Sequence, residues 1–348
     1  MAIRRETVGA NGIYAERYTL TNANGLEARI LTYGGTLCSL RVPDRDGQLG
    51  EILLGYDDLA PYLGPHPYFG SLIGRYANRI KAGRFSLGGQ RYTLDINSGP
   101  NHLHGGPKGF HQALWQAQTL AAFDGPSLTL AHRSPAGEGG YPGTLAVIVT
   151  YTLTDTNELR LDYQAQTDRE TIINLTSHGY FNLAGSGPIL DYELRLAAAH
   201  FLPTDTASIP LGELRPVAGT PFDFRHARRI GAQINAAAEQ LRAKQGYDHC
   251  YVLDKAPGQL AFAAQVTDPS SGRVLELYTT EPGVQLYTGN FLDERFIERG
   301  GRPCQRYGAI CLEAQHFPDS PNHPHFPSTV LRPGERYMQT TVYRFKVA

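Results

Sequence analysis

Long hydrophobic runs are missing from this 348-residue chain. No stretch approaches the ~20 apolar residues of a membrane-spanning helix. The opening "MAIRRETVGANGIYAERYTL" lacks the apolar centre of a secretory signal, so no membrane partner is expected. Charge of one sign is missing too. The 32 basic and 33 acidic residues are spread along the chain and leave a formal net charge of −1. That balance offers nucleic acid no basic footprint and an anionic surface no polybasic patch. Cysteine is scarce: Cys38, Cys250, Cys304 and Cys311 form no CxxC pair and no metal-ligand spacing. Small core thiols in a reduced, cytoplasmic setting are the expectation. There is also no Walker loop, Rossmann fingerprint or nucleophile elbow, which removes nucleotide and serine-nucleophile chemistry.

What is present is strand and turn. The chain carries 38 Gly, 23 Pro and 20 Tyr. "LRLDYQAQ" (159–166) alternates throughout, with Leu159, Leu161, Tyr163 and Ala165 on one face and polar residues on the other. "TLAVIVTYTL" precedes it across "TDTNE" and reads as its antiparallel partner. "FSLGGQRYTL" (85–94) reads as a hairpin closed by Gly88-Gly89, a pair that tolerates positive φ. "LEARILTY" (26–33) after the turn-forming "NANG", "RVLELYTT" (273–280) and "VQLYTGN" (284–290) are further strands, and one helix is expected around "AQINAAAEQLRAK" (232–244). The pattern predicts an all-β, large antiparallel β-sandwich with long loops and one or two short helices. Length alone suggests about two domains, although all-β units often reach ~200–250 residues, and composition never shifts along the chain.

Four polar clusters carry candidate chemistry. "INLTSHGYFNLAG" (173–185) sets His178 in a run that otherwise reads as a buried strand; a satisfied core histidine is one reading and a pocket floor the other. "GRYANRI" (74–80) and "NHLHGG" (101–106) bring Asn78, Arg79, His102 and His104. The two histidines are two apart and face opposite sides of an extended backbone, and no carboxylate follows, so metal binding is disfavoured. Arg79 also reads as a surface ion-pair partner. The glycines after His104 are expected to permit close approach of a ligand. In "GYDHCYVL" (246–253) Asp248 is either a turn former or a site residue. In "AICLEAQHFPDSPNHPHFP" (309–327) Glu313 sits at the inner end of a strand, which is costly unless paired or functional; Asp319 reads as a loop residue. Together these clusters suit a sugar, whose many hydroxyls need carboxylates, imidazoles, an arginine and amides. Glu313 and His178 supply an acceptor and a donor for acid–base work.

The pieces "GRYANRI", "NHLHGG", "LTSHGYFNL", "GYDHCYVL", "EPGVQLYTGNF" and "LEAQHFPD", in this order, resemble the aldose 1-epimerase (galactose mutarotase) family over nearly the whole chain. The resemblance implies a single domain over residues 1–348, a galactose mutarotase-like supersandwich with the sugar in an open cleft. It implies ring opening and reclosure of free aldohexoses such as glucose and galactose, with no cofactor and no metal. Glu313 would be the general base and His178 the general acid, their proximity keeping His178 protonated, with Gly179 leaving room for the sugar. Arg79, His104 and Asp248 would bind hydroxyls, and Asn78, Tyr180 and Gln285 would be further sugar-contacting positions. His316, His323 and His325 depart from the family's usual residues, a difference that bears at most on the cleft's rim and leaves Glu313 and His178 untouched. Two alternatives stay open: a hexose-6-phosphate 1-epimerase, which needs extra Arg or Lys near the C6 end, and a non-catalytic sugar-binding protein on the same sandwich.

Overall fold

The computed structural model describes residues 2–122 and 124–348; Met1 and Phe123, inside the expected 1–348 span, lie outside the described residues. Three antiparallel sheets dominate. The first is a meander in chain order, Ala2–Ala10, Ile13–Thr21, Glu27–Leu31, Leu37–Pro43 and Leu49–Glu51. The second has nine strands, with Gln116–Ala122 at one edge, Glu158–Thr167 beside the C-terminal Tyr337–Val347, and Arg228–Arg229 at the other edge. The third runs Arg215–Pro216, His200–Phe201, Asp248–Val252, Gly283–Tyr287, Cys311–Gln315.

Alternation decides which side chains enter the core. In the Glu158–Thr167 strand Leu159, Leu161, Tyr163 and Ala165 are buried, and the strand pairs antiparallel with Leu145–Leu153, as the period-2 pattern requires. These residues share one apolar cluster with Tyr18, Leu20, Ile30 and Leu40 of the first sheet and with Val284, Leu286 and Leu312 of the third. Polar ties cross the same layers. The Tyr151 hydroxyl donates to Gly35 O (2.8 Å) and the Tyr343 hydroxyl to Leu312 O (3.3 Å), one residue from Glu313. Buried Arg273 donates to Val42 O (3.2 Å), Leu183 O (2.8 Å) and Gln48 O (3.1 Å), joining its strand to the meander and to the segment after His178.

The expected hairpin forms from Arg84–Leu87 and Gln90–Thr93, with φ of 56° and 77° at Gly88 and Gly89. All four cysteines are buried and free. The expected 232–244 helix is shorter than its composition suggests: only Glu239–Lys244 is α-helical. Ile234 is drawn into the core, Ala236 N–H closes a turn onto Gln233 O, and Ala238 offers no side-chain cap. Tertiary burial of one isoleucine overrides the helix propensity of the alanine run.

Arg273→Ala should lower the unfolding free energy by at least about 3 kcal/mol, since it takes a charged donor away from three carbonyls, two of them in buried bonds. Urea denaturation measures this; a loss under about 1 kcal/mol would show that the arginine does not join the sheets.

Candidate active site

The floor of the site is a ladder. Asp248–Val252 pairs with Gly283–Tyr287, which pairs with Cys311–Gln315 in a register that puts Gln285 opposite Glu313 and Asp248 opposite Tyr287. Cross-strand partners share a face, so Asp248, Tyr287, Gln285 and Glu313 project together while Leu286 and Leu312 turn to the core. Gln285 Nε2 donates to Asp248 Oδ1 at 2.7 Å, which fixes the amide and leaves its Oε1 without a protein partner. His249, on the opposite face, is a core histidine: its Nδ1 accepts from Asp248 N–H (3.1 Å) and its other nitrogen meets Gln240 Oε1 (3.2 Å).

A second wall comes from the short pair Arg79–Ile80 and His102–Leu103. Asn78 and His104 flank it with φ of 61° and 51°, and each holds the other. His104 N–H donates to Asn78 O (3.1 Å), and Asn78 N–H donates to His104 Nδ1 (3.1 Å). The latter bond assigns the His104 hydrogen to Nε2. His102 faces away, engaged by Asp95 O (2.6 Å) and the Tyr141 hydroxyl (2.5 Å), so the two histidines of "NHLHGG" cannot act together.

The third wall is His178, just past the Thr176–Ser177 pairing with Leu72–Ile73. Its Nε2 lies 3.6 Å from Glu313 Oε1, and His178 Nδ1 and Glu313 Oε2 have no protein partner although both residues are buried. The resulting cleft, about 180 Å³, is lined by Asn78, Arg79, His104, His178, Tyr180, Asp248, Gln285 and Glu313, the full set of residues expected from the sequence. It is smaller than the ~300–1,000 Å³ of drug-sized ligand sites. Tyr68, Tyr287 and Phe291 also line it. Neither tyrosine is among the residues expected from the sequence; Tyr287 has a usable signal, two residues from Gln285 on one strand face, and Tyr68 has no periodic one.

Burial sets the protonation. It pushes the Glu313 carboxyl up to about 8, helped by the negative charge of Asp248 and opposed by Arg79. It pushes the His178 imidazole down to about 4, against the pull of its own backbone and Asp248. His104 is driven well below its ordinary range, again first by burial, so it is a neutral Nε2–H donor. The expectation that Glu313 keeps His178 charged is therefore corrected. Between about pH 4 and 8 the one proton of the pair therefore sits on Glu313, because burial disfavours the charged form of both groups.

Other expectations also change. A Cβ on Gly179 would lie 2.9 Å from the Phe181 ring, so this glycine serves packing and not the sugar. A Cβ on Gly105 (φ +85°) would come within 1.8 Å of Gly74 O, so the close approach there is between two backbone segments. None of the three departing histidines lines the cleft. His316 Nδ1 bonds Glu281 Oε2 (2.5 Å), His323 Nε2 lies 3.3 Å from Asp319 Oδ2, and His325 Nε2 bonds Gly212 O (2.6 Å). Asp319 is in a loop as expected, yet it is buried, and its N–H donates to Arg79 O (2.8 Å). Among the described residues, the donor atoms of His104, His178 and Glu313 are the one group of three metal-type donors, all within 4.8 Å.

The family model for aldose 1-epimerase matches residues 16–344. The chain belongs to the aldose 1-epimerase family. It is 45% identical to the galactose mutarotase of Homo sapiens over 93% of this chain and 92% of that protein. It is 38% identical to the aldose 1-epimerase of Escherichia coli K12 over 94% of each. Among solved structures, galactose 1-epimerase from Lactobacillus acidophilus NCFM superposes with a TM-score of 0.89 at 29% identity, covering 100% of this chain and 99% of that one. An aldose epimerase homologue from C. elegans gives a TM-score of 0.87 at 30% identity, covering 99% and 100%. The β-sandwich expected from alternation is thus the fold of the family.

The raised Glu313 carboxyl has a consequence for stability. The native state holds this proton between the ordinary value of 4.5 and about 8, where the unfolded chain has lost it. Stability therefore falls as pH rises through that window, and the cost is complete above it. Glu313→Gln removes the cost and should melt at least about 3 °C above wild type at pH 8, with the gap closing towards pH 5. Calorimetry at both pH values checks this; a gap independent of pH would contradict the burial effect.

Proposed function

We infer that this protein is an isomerase that interconverts the α and β anomers of free aldohexoses such as glucose and galactose, acting as one domain in a reducing, cytoplasmic setting. The observation that carries this reading is the Glu313–His178 pair, 3.6 Å apart with an unpartnered atom on each, in a cleft of hydroxyl-binding groups. The buried, unpaired thiols support the compartment. Among the described residues no helix is long and apolar enough to cross a membrane. One cleft-lining side chain, Arg79, is an arginine or lysine, against the carboxylates of Asp248 and Glu313. That balance favours a neutral sugar over a 6-phosphate, whose dianion needs further cations.

Glu313 takes the proton of the C1 hydroxyl while His178 gives one to the ring oxygen. The C1–O5 bond breaks, the aldehyde end rotates about C1–C2, and closure on the other face returns both protons. Hydrogens move only between oxygens and the two side chains, so the reaction needs no cofactor. The reacting form, carboxylate with imidazolium, has the same proton count as the carboxyl–imidazole form that burial favours. The two are therefore tautomers of one pair, and pH does not separate them. Arg79, beside the carboxylate, favours the reacting form. The neutral Nε2–H of His104, the Asp248–Gln285 pair and Asn78 hold the remaining hydroxyls.

Polarimetry of freshly dissolved α-D-glucose and α-D-galactose tests the activity, which should survive dialysis against a chelator. Loss restored by a divalent ion would instead assign the His104–His178–Glu313 donors to a metal. Glu313→Gln and His178→Asn should each lower kcat by at least about 10²-fold. Arg79→Ala and Asp248→Ala should lower kcat/KM by roughly 10- to 150-fold, the worth of a hydrogen bond to a charged group, and His104→Ala, which removes a neutral donor, by roughly 2- to 10-fold.

The pH profile of kcat/KM should be a bell. Its acid limb lies near 4, below which both groups are protonated and no base remains. Its alkaline limb lies near 8, above which the pair has no proton to give. A profile flat from pH 4 to 9 would remove the pair from the mechanism.

A further inference from the structure

Tyr68 occupies a conformation that bulky residues rarely adopt, φ +61°, at the head of a turn closed by Ser71 N–H on Tyr68 O (3.0 Å). The turn is bound to the backbone of His178 on both sides: His178 N–H donates to Ser71 O (3.0 Å) and Gly70 N–H donates to His178 O (2.9 Å). Gly70 packs directly on the next strand, since a Cβ there would lie 1.9 Å from Leu37 O and its own O accepts from Leu37 N–H (2.9 Å). The Tyr68 ring is thereby held against the imidazoles. It runs near-parallel to His178 (centroids 6.0 Å, 17°) and meets His104 (4.9 Å) and His111 (4.8 Å) edge-on. Tyr180 also lies near-parallel to His178, at 4.9 Å and 10°.

We propose that Tyr68 is a positioning residue for the reaction inferred above: with Tyr180 it keeps the His178 ring facing Glu313 and offers its π face to the imidazolium formed during proton transfer. The physical need is specific. Burial disfavours a cation at His178, and the reaction must form one there. An aromatic face within about 6 Å attracts a cation far more than a neutral ring. The contact therefore favours the charged tautomer without adding a formal charge to the cleft. The other groups facing His178 are Glu313 and Asp248 from the ladder, Arg79 and His104 from the second wall, and His66 beside the Tyr68 turn. Of these only the carboxylates favour the imidazolium. This reassigns Tyr180 as well, from a sugar contact to a partner of the imidazole.

The test combines three Tyr68 variants with two readouts. Tyr68→Leu should lower kcat by roughly 3- to 30-fold, the range of a cation–π contact, with KM changed less than about threefold. Tyr68→Met, which keeps bulk without a π face, should behave the same and serves if the leucine variant is poorly folded. Tyr68→Phe should recover most of the lost kcat. In the sugar-free protein, NMR of ring-labelled histidine should show His178 protonating at lower pH in the leucine and methionine variants and near the wild-type pH in the phenylalanine variant. This second readout does not depend on turnover, so it separates failure of this role from failure of the proposed activity. The role is overturned if the leucine and methionine variants keep wild-type kcat and His178 titration. It is overturned equally if Tyr68→Phe loses as much kcat as Tyr68→Leu, which would make the hydroxyl a sugar contact.

Discussion

A carboxyl and an imidazole are buried 3.6 Å apart in one cleft, and the surrounding architecture answers to the difficulty this creates. Water is what normally lets both groups carry charge. Burial weakens that support, so the neutral forms win on both sides and the pair retains one proton between them. Chemistry on a hemiacetal requires the charged arrangement for a moment. The polar residues around the pair bring that arrangement within reach without filling the cleft with permanent ions: one arginine, an amide locked to a carboxylate, and a neutral histidine donor.

Each wall reaches the site by a different backbone device. The floor uses cross-strand pairing, which sets Gln285 beside Glu313 as a matter of geometry. The second wall uses two left-handed residues, Asn78 and His104, that close on each other. The third uses a turn wrapped around the backbone of His178 itself. Pairing tolerates many side chains, but left-handed backbone at bulky or branched positions persists only where its neighbours over-determine it. All eight side chains expected from sequence converge because these devices lock against each other, through contacts such as Asp319 N–H on Arg79 O.

Alternation made the strands at 145–153 and 158–167 readable, and Gly88-Gly89 made the hairpin readable, because both signals are local. The site residues were readable as polar groups in places where a core strand or plain turn does not need them. Signals that depend on distant neighbours were not readable. Gly179 and Gly105 looked like room for a ligand, yet the space beside them belongs to Phe181 and to Gly74. The alanine run before Glu239 looked helical until Ile234 found the core. Histidine was the hardest type, since His102 and His249 are satisfied core groups, His316 and His323 pair with acids, and His178 and His104 face the cleft. Nothing in the local sequence separates these three fates.

The ladder register has a consequence for how such a chain can diverge. Gln285 and Glu313 face the cleft only because their strands pair residue for residue, with Leu286 opposite Leu312 on the other side. Gaining or losing one residue within either strand would exchange the faces, burying carboxylate and amide in the apolar core and turning two leucines towards the sugar. Length variation among descendants is thus confined to the connecting loops, while the segments 283–287 and 311–315 can drift in side-chain identity away from the cleft-facing positions but not in count.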